Sequence, residues 1–265
     1  MLKASVIIPV YKCDVDSFEA ISLHRTFSVL KSYSHVLVCP DDLNVDNYVK
    51  IADSEGVALL IERFNPSFFD GIKGYNRLLL SECFYERFAD YEYMLICQAD
   101  AFVFQDELCV WCEKGYDYAG APIFGDCFDL GKAKVGNGGF CLRRVQAYLD
   151  FFKGKKHVFA AKEIANRISF LKKPYTRGVV LLLMCIGWRN MPRTVAERWH
   201  YNEDVFWSIY LNNSNYELSK PSVSEALTFA FERFPAECFR QIGRLPFGCH
   251  AWRKYQYEEF WKGHV

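Results

Sequence analysis

The feature that most constrains this chain is the run Tyr93-Met94-Leu95-Ile96-Cys97, almost unbroken in apolar character and stopping at Gln98-Ala99-Asp100. A strand with one wet face alternates apolar and polar residues. One this uniformly apolar must be covered on both faces, which selects a sheet held between helices. Gln98 and Asp100 stand two residues apart and so project to the same side at the strand's carboxyl end, where open α/β sheets collect ligands. Asp100 beside Ala101, Phe102 and Val103 is costly to bury ionised without a cation, a donor or water. The residues leave two readings open: a metal and phosphate site, or a solvated turn in which Asp only ends the strand.

The flanking sequence supplies the helices. Ser5-Val6-Ile7-Ile8-Pro9-Val10 is strand-like, and Asp16 and Glu19 have capping-box spacing for a helix running towards Lys31. His35 to Cys39 reads as a second strand, Val45 to Glu55 as a helix ended by Gly56, and Val57 to Ile61 as a third strand. This βαβαβ alternation predicts a mostly parallel sheet with helices on both faces. A further helix begins near Gly74-Tyr75-Asn76-Arg77. Lys73, Asn76 and Arg77 lie at its start, where free backbone N–H groups favour an anion; a solvated first turn is the plainer account. Asp106 to Lys114 reads as a short helix, Asp117 to Pro122 as a short strand, and the segment to Lys134 as a surface loop. In Val135-Gly136-Asn137-Gly138-Gly139-Phe140 the glycines permit close backbone approach to a ligand, or mark a simple bulge, before a strand resumes.

The second half is less periodic. Phe151 to Trp188 reads as helical and locally basic, a face for an anionic membrane or charged acceptor, or else a solvated face. Its most apolar run, Val179 to Trp188, is too short to cross a bilayer core of about 30 Å and is assigned to the core. Glu203 and Asp204 open another helix, where capping and proton acceptance from a substrate hydroxyl both suit them. Ser222 to Phe231 is predicted helical. Leu245 to Trp252 forms a rigid aromatic turn holding His250, and Tyr257 to Lys262 a short aromatic helix.

At 265 residues, without internal repeats or a low-complexity linker, the chain is read as one domain. Its 32 Lys and Arg match 32 Asp and Glu, so bulk charge provides no case for a nucleic-acid partner. Eleven cysteines, with the Cys109/Cys112 pair unanswered by a second one, are expected to be free thiols in a reducing cytosol. Met1-Leu2-Lys3-Ala4 passes straight into a strand, which is read as lacking a secretion signal.

Taken together, these blocks resemble the nucleotide-sugar glycosyltransferases of the GT-A fold. Within them they are similar to a largely uncharacterised bacterial family that shares blocks like Tyr75-Asn76-Arg77-Leu78, Gly136-Asn137-Gly138-Gly139-Phe140 and Pro246-Phe247-Gly248-Cys249-His250. The resemblance spans nearly the whole chain. It implies an α/β, Rossmann-like, mostly parallel sheet with flanking helices in a single domain, residues 1–120 forming the nucleotide-binding part and 121–265 the acceptor and catalytic part. By that resemblance Asp100 is the metal-binding member of a DxD motif, and His250 is a second ligand to Mn²⁺ or Mg²⁺, with the donor diphosphate completing the shell. Gln98 stands where the motif has its first Asp, offering hydrogen bonds but no charge. Pro9, Val10 and Tyr11 would border the nucleobase, Lys73 and Asn76 the ribose or phosphates, and Gly138 and Gly139 the donor sugar. Asp204 would be the general base, with Glu203 competing for that role or for acceptor binding.

The implied activity is metal-dependent hexosyl transfer, with inversion, from a nucleotide sugar to a glycan or lipid-linked acceptor in bacterial surface polysaccharide synthesis. UDP is the default donor nucleotide, and the setting is the cytoplasm at the inner face of the membrane. Two other activities suit the same features: a nucleotide- or sugar-binding module without turnover, and a nucleotidyltransferase that releases pyrophosphate.

Overall fold

The computed structural model describes residues 2–265; Met1, where the N-terminal reading begins, lies outside them. Strand β1 (Leu2–Pro9) leads to α1 (Ser17–Val29), whose start is the expected capping box. The Asp16 carboxylate accepts the Phe18 and Glu19 amides at 2.9 Å, and Glu19 accepts the Asp16 amide at 3.1 Å. Then follow β2 (Ser34–Pro40), α2 (Asp46–Ser54), β3 (Leu59–Phe64), α3 (Gly71–Leu79), α4 (Glu82–Glu86) and β4 (Tyr91–Cys97). Short elements come next: β5 (Phe102–Val103), α5 (Leu108–Glu113), β6 (Tyr118–Gly120), β7 (Pro122–Ile123), β8 (Lys134–Val135) and β9 (Phe140–Arg144). The rest is largely helical: α6 (Val145–Lys153), α7 (Ala161–Arg167), α8 (Pro174–Cys185), α9 (Pro192–Glu197) and α10 (Glu203–Val205), which runs into a π-helical turn at Phe206–Tyr210. The chain closes with α11 (Val223–Phe229), β10 (Ala230–Phe231), α12 (Pro235–Ile242) and β11 (Gly248–Cys249).

Among the described residues the main sheet has six strands in the order β3-β2-β1-β4-β9-β6. β1 to β4 run parallel, and β9 is antiparallel to both its neighbours. Alternation along these strands divides the core in two. Val6, Ile8, Leu37, Leu95 and Cys97 point into one apolar layer with Phe27 and Trp111, while Ile7, Val36, Val38, Met94 and Ile96 point into the other with Phe84, Tyr148 and Trp207. Both faces of β4 are therefore dry, as its composition demands.

Several local expectations are corrected. β3 lies two residues later than predicted at its start, because its register is set by pairing with β2 from His35↔Leu59 to Pro40↔Phe64. The 151–188 segment is three helices, broken where Gly154 is extended and where Pro174 opens a new helix. Helix 222–231 stops at Phe229, because Ala230 is extended (φ −155°, ψ 152°) and β10 pairs with β11. The loop before Lys134 folds back so that β7 and β8 pair. Tyr257 to Lys262 forms turns and a 3₁₀ segment at Trp261–Gly263, with Gln256 in the left-handed region at φ 52°. Val179 to Trp188 is not core: Leu182 and Ile186 face solvent, and only the opposite stripe of α8 touches the apolar interior.

Candidate active site

A small three-stranded sheet, β10-β11-β5, assembles the site from two distant parts of the chain. β11 is antiparallel to β5 with Cys249 opposite Phe102, and parallel to β10 with Cys249 opposite Phe231. One residue further along each strand, this register sets His250 beside Ala101 on one flank and Glu232 on the other. His250 Nδ1 lies 3.1 Å from Glu232 Oε1, and Nε2 lies 3.1 Å from Gln98 Oε1 and 3.4 Å from Asp100 Oδ1. Burial disfavours a charge on this imidazole, but its hydrogen bonds to Asp100 and Glu232 and their charges outweigh burial and push the pKa up to about 10. Asp100 is held below the usual carboxylate range: burial raises it, and the His250 bond and charge pull it down further than that.

This donor set fits a divalent cation. Oxygen and nitrogen ligands about 2.1 Å from one ion, at right angles, lie about 3 Å apart, close to the 3.1 and 3.4 Å spacings from His250 Nε2 to Gln98 and Asp100. In the neutral ring Nδ1–H can donate to Glu232 Oε1, 3.1 Å away, which leaves the Nε2 lone pair for the metal, the carboxylate–histidine arrangement of many metal sites. Among the described residues no three His, Cys, Asp or Glu side chains form a metal cluster. Asp100 and His250 thus suit an ion whose remaining ligands come from a substrate or water.

The glycines back this arrangement. The Gln98 amide donates to Gly139 O at 2.9 Å, and a Cβ on Gly139 would overlap the His250 ring. A Cβ on Gly138 would sit 2.7 Å from Glu203 Oε1 and 3.1 Å from Asp204 Cβ. Their lack of side chains makes room for the protein's own catalytic candidates. Gly138 N–H donates to Asp204 Oδ2 at 3.0 Å, and Val205 N–H to Oδ1 at 2.7 Å.

Glu203 turns the other way. It is buried and accepts from Arg143 Nη2 at 2.8 Å, while Arg143, fully buried, also donates to Tyr85 Oη at 2.9 Å. Burial raises the Glu203 carboxyl to about 7 against the opposing charge and hydrogen bond of Arg143. The Asn76 side chain accepts the Glu203 amide at 3.1 Å, so α3 and α10 are tied together.

Two cavities flank α3. Pro9, Val10, Tyr11, Gln98 and Asp100 line one of about 460 Å³, together with Ile72 and Tyr75 from α3. Lys73 and Asn76 lie on the adjacent face of the same helix and line a second cavity of about 700 Å³ with Arg77, Arg193, Trp199 and Tyr201. The sequence-based grouping of Lys73 and Asn76 with the residues around Asp100 is therefore divided between two cavities. α3 can pack this closely because residue 74 is glycine: a Cβ there would lie only 2.8 to 2.9 Å from the Ser67 and Phe68 backbone.

Sequence reasoning missed Glu232, Arg143, Tyr75 and Lys254. Tyr75 Oη accepts from Gln98 Nε2 at 3.3 Å. Lys254 and Arg253 share a further recess with Asp100 and Glu19, and the Lys254 charge helps hold the Asp100 carboxyl down. The Arg253-Lys254 pair just after His250 was a readable signal. Ala251 between them has φ 51°, a left-handed conformation uncommon outside glycine and frequent at functional sites.

The sheet order, with its polar residues gathered beyond the carboxyl end of β4, defines an α/β GT-A fold. The galactosyltransferase LgtC, solved with donor and acceptor sugar analogues, is 12% identical over 93% of this chain and 86% of its own, with a TM-score of 0.51. GlyE, a glycosyltransferase of Streptococcus pneumoniae TIGR4, is 12% identical over 95% of this chain and 55% of its own, with a TM-score of 0.49. Core-mannan synthase A of Aspergillus fumigatus, in a Mn/GDP form, is 9% identical over 78% and 72%, with a TM-score of 0.44. No curated protein sequence matches the chain. The chain belongs to the family described as "Protein of unknown function (DUF5672)", which matches residues 58–250.

Proposed function

We propose that this protein is a glycosyltransferase that moves a hexose from a nucleotide sugar, UDP-linked by default, to a hydroxyl of a glycan or lipid-linked acceptor in polysaccharide synthesis in the cytoplasm. The observation that carries this reading is the meeting of Gln98, Asp100 and His250 within 3.4 Å of one nitrogen, beside the cavity lined by Pro9, Val10 and Tyr11. That cavity takes the donor, with Tyr11 at its mouth offering a ring face to the base. Asp100 and His250 would hold Mn²⁺ or Mg²⁺, which when bound neutralises the departing diphosphate. Lys254 and Arg253 are placed to add positive charge near the same phosphates.

Residues 1–120 form most of the donor part and 121–265 most of the acceptor part, with His250, Arg253 and Lys254 crossing to the donor side and α3 lying between the two. Lys73 and Asn76 belong to the acceptor side, where Trp199 and Tyr201 offer ring faces to a sugar. Asp204 is the base, since Glu203 is committed to Arg143 in the interior. In a single displacement, the acceptor hydroxyl oxygen bonds to the anomeric carbon and its proton passes to Asp204. The bond from that carbon to phosphate breaks, its electron pair leaves with the nucleoside diphosphate, and the anomeric configuration inverts.

Purified protein incubated with Mn²⁺ and a panel of nucleotide sugars should release nucleoside diphosphate, and faster with an acceptor. Tight donor binding without release under any condition would instead favour a binding module, a reading helped by the neutral Gln98 and its bonds to His250 and Tyr75. Release of pyrophosphate would identify a nucleotidyltransferase.

A further inference from the structure

The exposed side of α8 has no use in the chemistry above and is costly to leave in water. On this helix Tyr175, Val179 and Leu182, with the capping residue Ile186, recur at intervals of four, three and four, so they form one stripe. Tyr175 is 83% exposed, Leu182 64% and Ile186 71%; Phe170 before the helix and Trp188 after it are exposed too. The opposite stripe of Val180, Leu181 and Met184 rests on the core. From Val179 to Cys185 α8 is thus apolar all round, and a helical stretch of that kind belongs in an apolar surround on every side. Among the described residues no helix is long and apolar enough to cross a membrane. The 12 residues of α8 would span only about 18 Å.

The charge around this stripe selects the occupant. Residues 153–193 carry ten Lys or Arg and one acidic residue, Glu163, in a chain whose formal charge is zero. Lys153, Arg167 and Arg193 are paired with Glu86, Glu163 and Glu82. Lys155, Lys156, Lys162, Lys172, Lys173 and Arg177 make no ion pair among the described residues. A second copy docking symmetrically would set this cationic segment against itself. An anionic lipid surface complements it, taking the aliphatic stripe among its acyl chains and the aromatic side chains at the headgroup level.

From these observations we infer that α8 with its basic surround is a monotopic membrane-docking surface, lying in the plane of an anionic bilayer. The chain that leaves α8 goes on to supply Arg193, Ala196 and Trp199 to the larger cavity. The inference does not depend on the transferase reading and stands or falls on lipid binding alone.

The test uses the full chain and vesicles of phosphatidylcholine with or without phosphatidylglycerol, followed by co-sedimentation. The wild type should sediment with the anionic vesicles and much less with the neutral ones. Each basic residue near such a surface contributes about fivefold to binding, so Lys172→Gln/Lys173→Gln/Arg177→Gln should weaken it on the order of 100-fold. Leu182→Ser/Ile186→Ser should weaken it at least about 100-fold through two lost aliphatic insertions. Brominated lipid should also quench part of the wild-type tryptophan fluorescence through Trp188, a readout independent of any variant. Absence of wild-type sedimentation or quenching overturns the inference, as does full binding by Leu182→Ser/Ile186→Ser. So does a wild-type dimer without lipid affinity that this variant converts to monomer in sedimentation velocity, since a second copy would then cover the stripe.

Discussion

The Arg143–Glu203 pair makes the sharpest stability prediction, because its members are 0% and 5% exposed and 2.8 Å apart. Replacing Arg143 with Met keeps much of the apolar bulk between Tyr118 and Tyr148, over whose rings the guanidinium lies at 5.7 and 5.6 Å, but strips the buried carboxylate of its counter-ion. Breaking one side of such a pair costs about 3–5 kcal/mol. At about 2–4 °C per kcal/mol for a chain of this size, Tm should fall on the order of 10 °C at pH 8.

The loss has a defined pH dependence. Glu203 is an acid whose folded pKa, about 7, exceeds the ordinary glutamate value of 4.5. Its protonation therefore favours folding, fully below about 4.5, and this contribution disappears as pH rises through about 7. Without Arg143 the folded pKa climbs further, so the gap between variant and wild type should narrow between pH 8 and pH 5.5 as the orphaned carboxyl takes a proton. Arg143→Met/Glu203→Gln, which buries no charge, should regain most of the lost Tm at pH 8. Thermal melts of the four-member cycle at both pH values test this. A single variant within 2 °C of wild type at pH 8, or a double variant no better than the single, would refute the assignment of a desolvated pair.

Three further outcomes are expected at the candidate site. Glu232→Gln should weaken the response to Mn²⁺ about 10- to 100-fold, read by titrating the metal against nucleoside diphosphate release, since a ring nitrogen loses its orienting carboxylate; an unchanged titration would mean Glu232 does not set the imidazole. Gly139→Ala should cost about 1–3 kcal/mol in thermal melts through overpacking and impair donor binding, because the new methyl occupies the space of the His250 ring. Normal donor affinity in that variant would place His250 outside the donor site. Asp204→Asn should lower kcat about 10²- to 10⁴-fold with donor Kd preserved, whereas a matched loss in both would make it only a clamp on the Gly138 and Val205 amides.

What could be read from the sequence, and what could not, divides along physical lines. The β4 run, the capping box at Asp16 and the βαβαβ alternation are local patterns whose causes lie within a few residues, and each took its expected form except at the start of β3, which pairing with β2 sets. The resemblance paired Asp100 with His250 on one metal, but no local pattern brings them together: their meeting depends on the pairing of the two-residue strands β5, β11 and β10, the first of which lies more than a hundred residues before the other two. Glu232 was invisible for that reason, being placed by register alone just past a segment, Ser222 to Phe231, that reads as helix. Arg143 drew no reading of its own, because nothing nearby in sequence announces the buried Glu203 that compensates it. α8 failed differently. Its hydropathy correctly reports a segment that requires an apolar environment on all sides, and assigning it to the core assumed that the protein itself provides that environment. Hydropathy measures how unfavourable water is and says nothing of which phase replaces it. With one stripe of α8 on the core and the other facing outward amid unpaired cations, the charge pattern decides what the hydropathy alone could not.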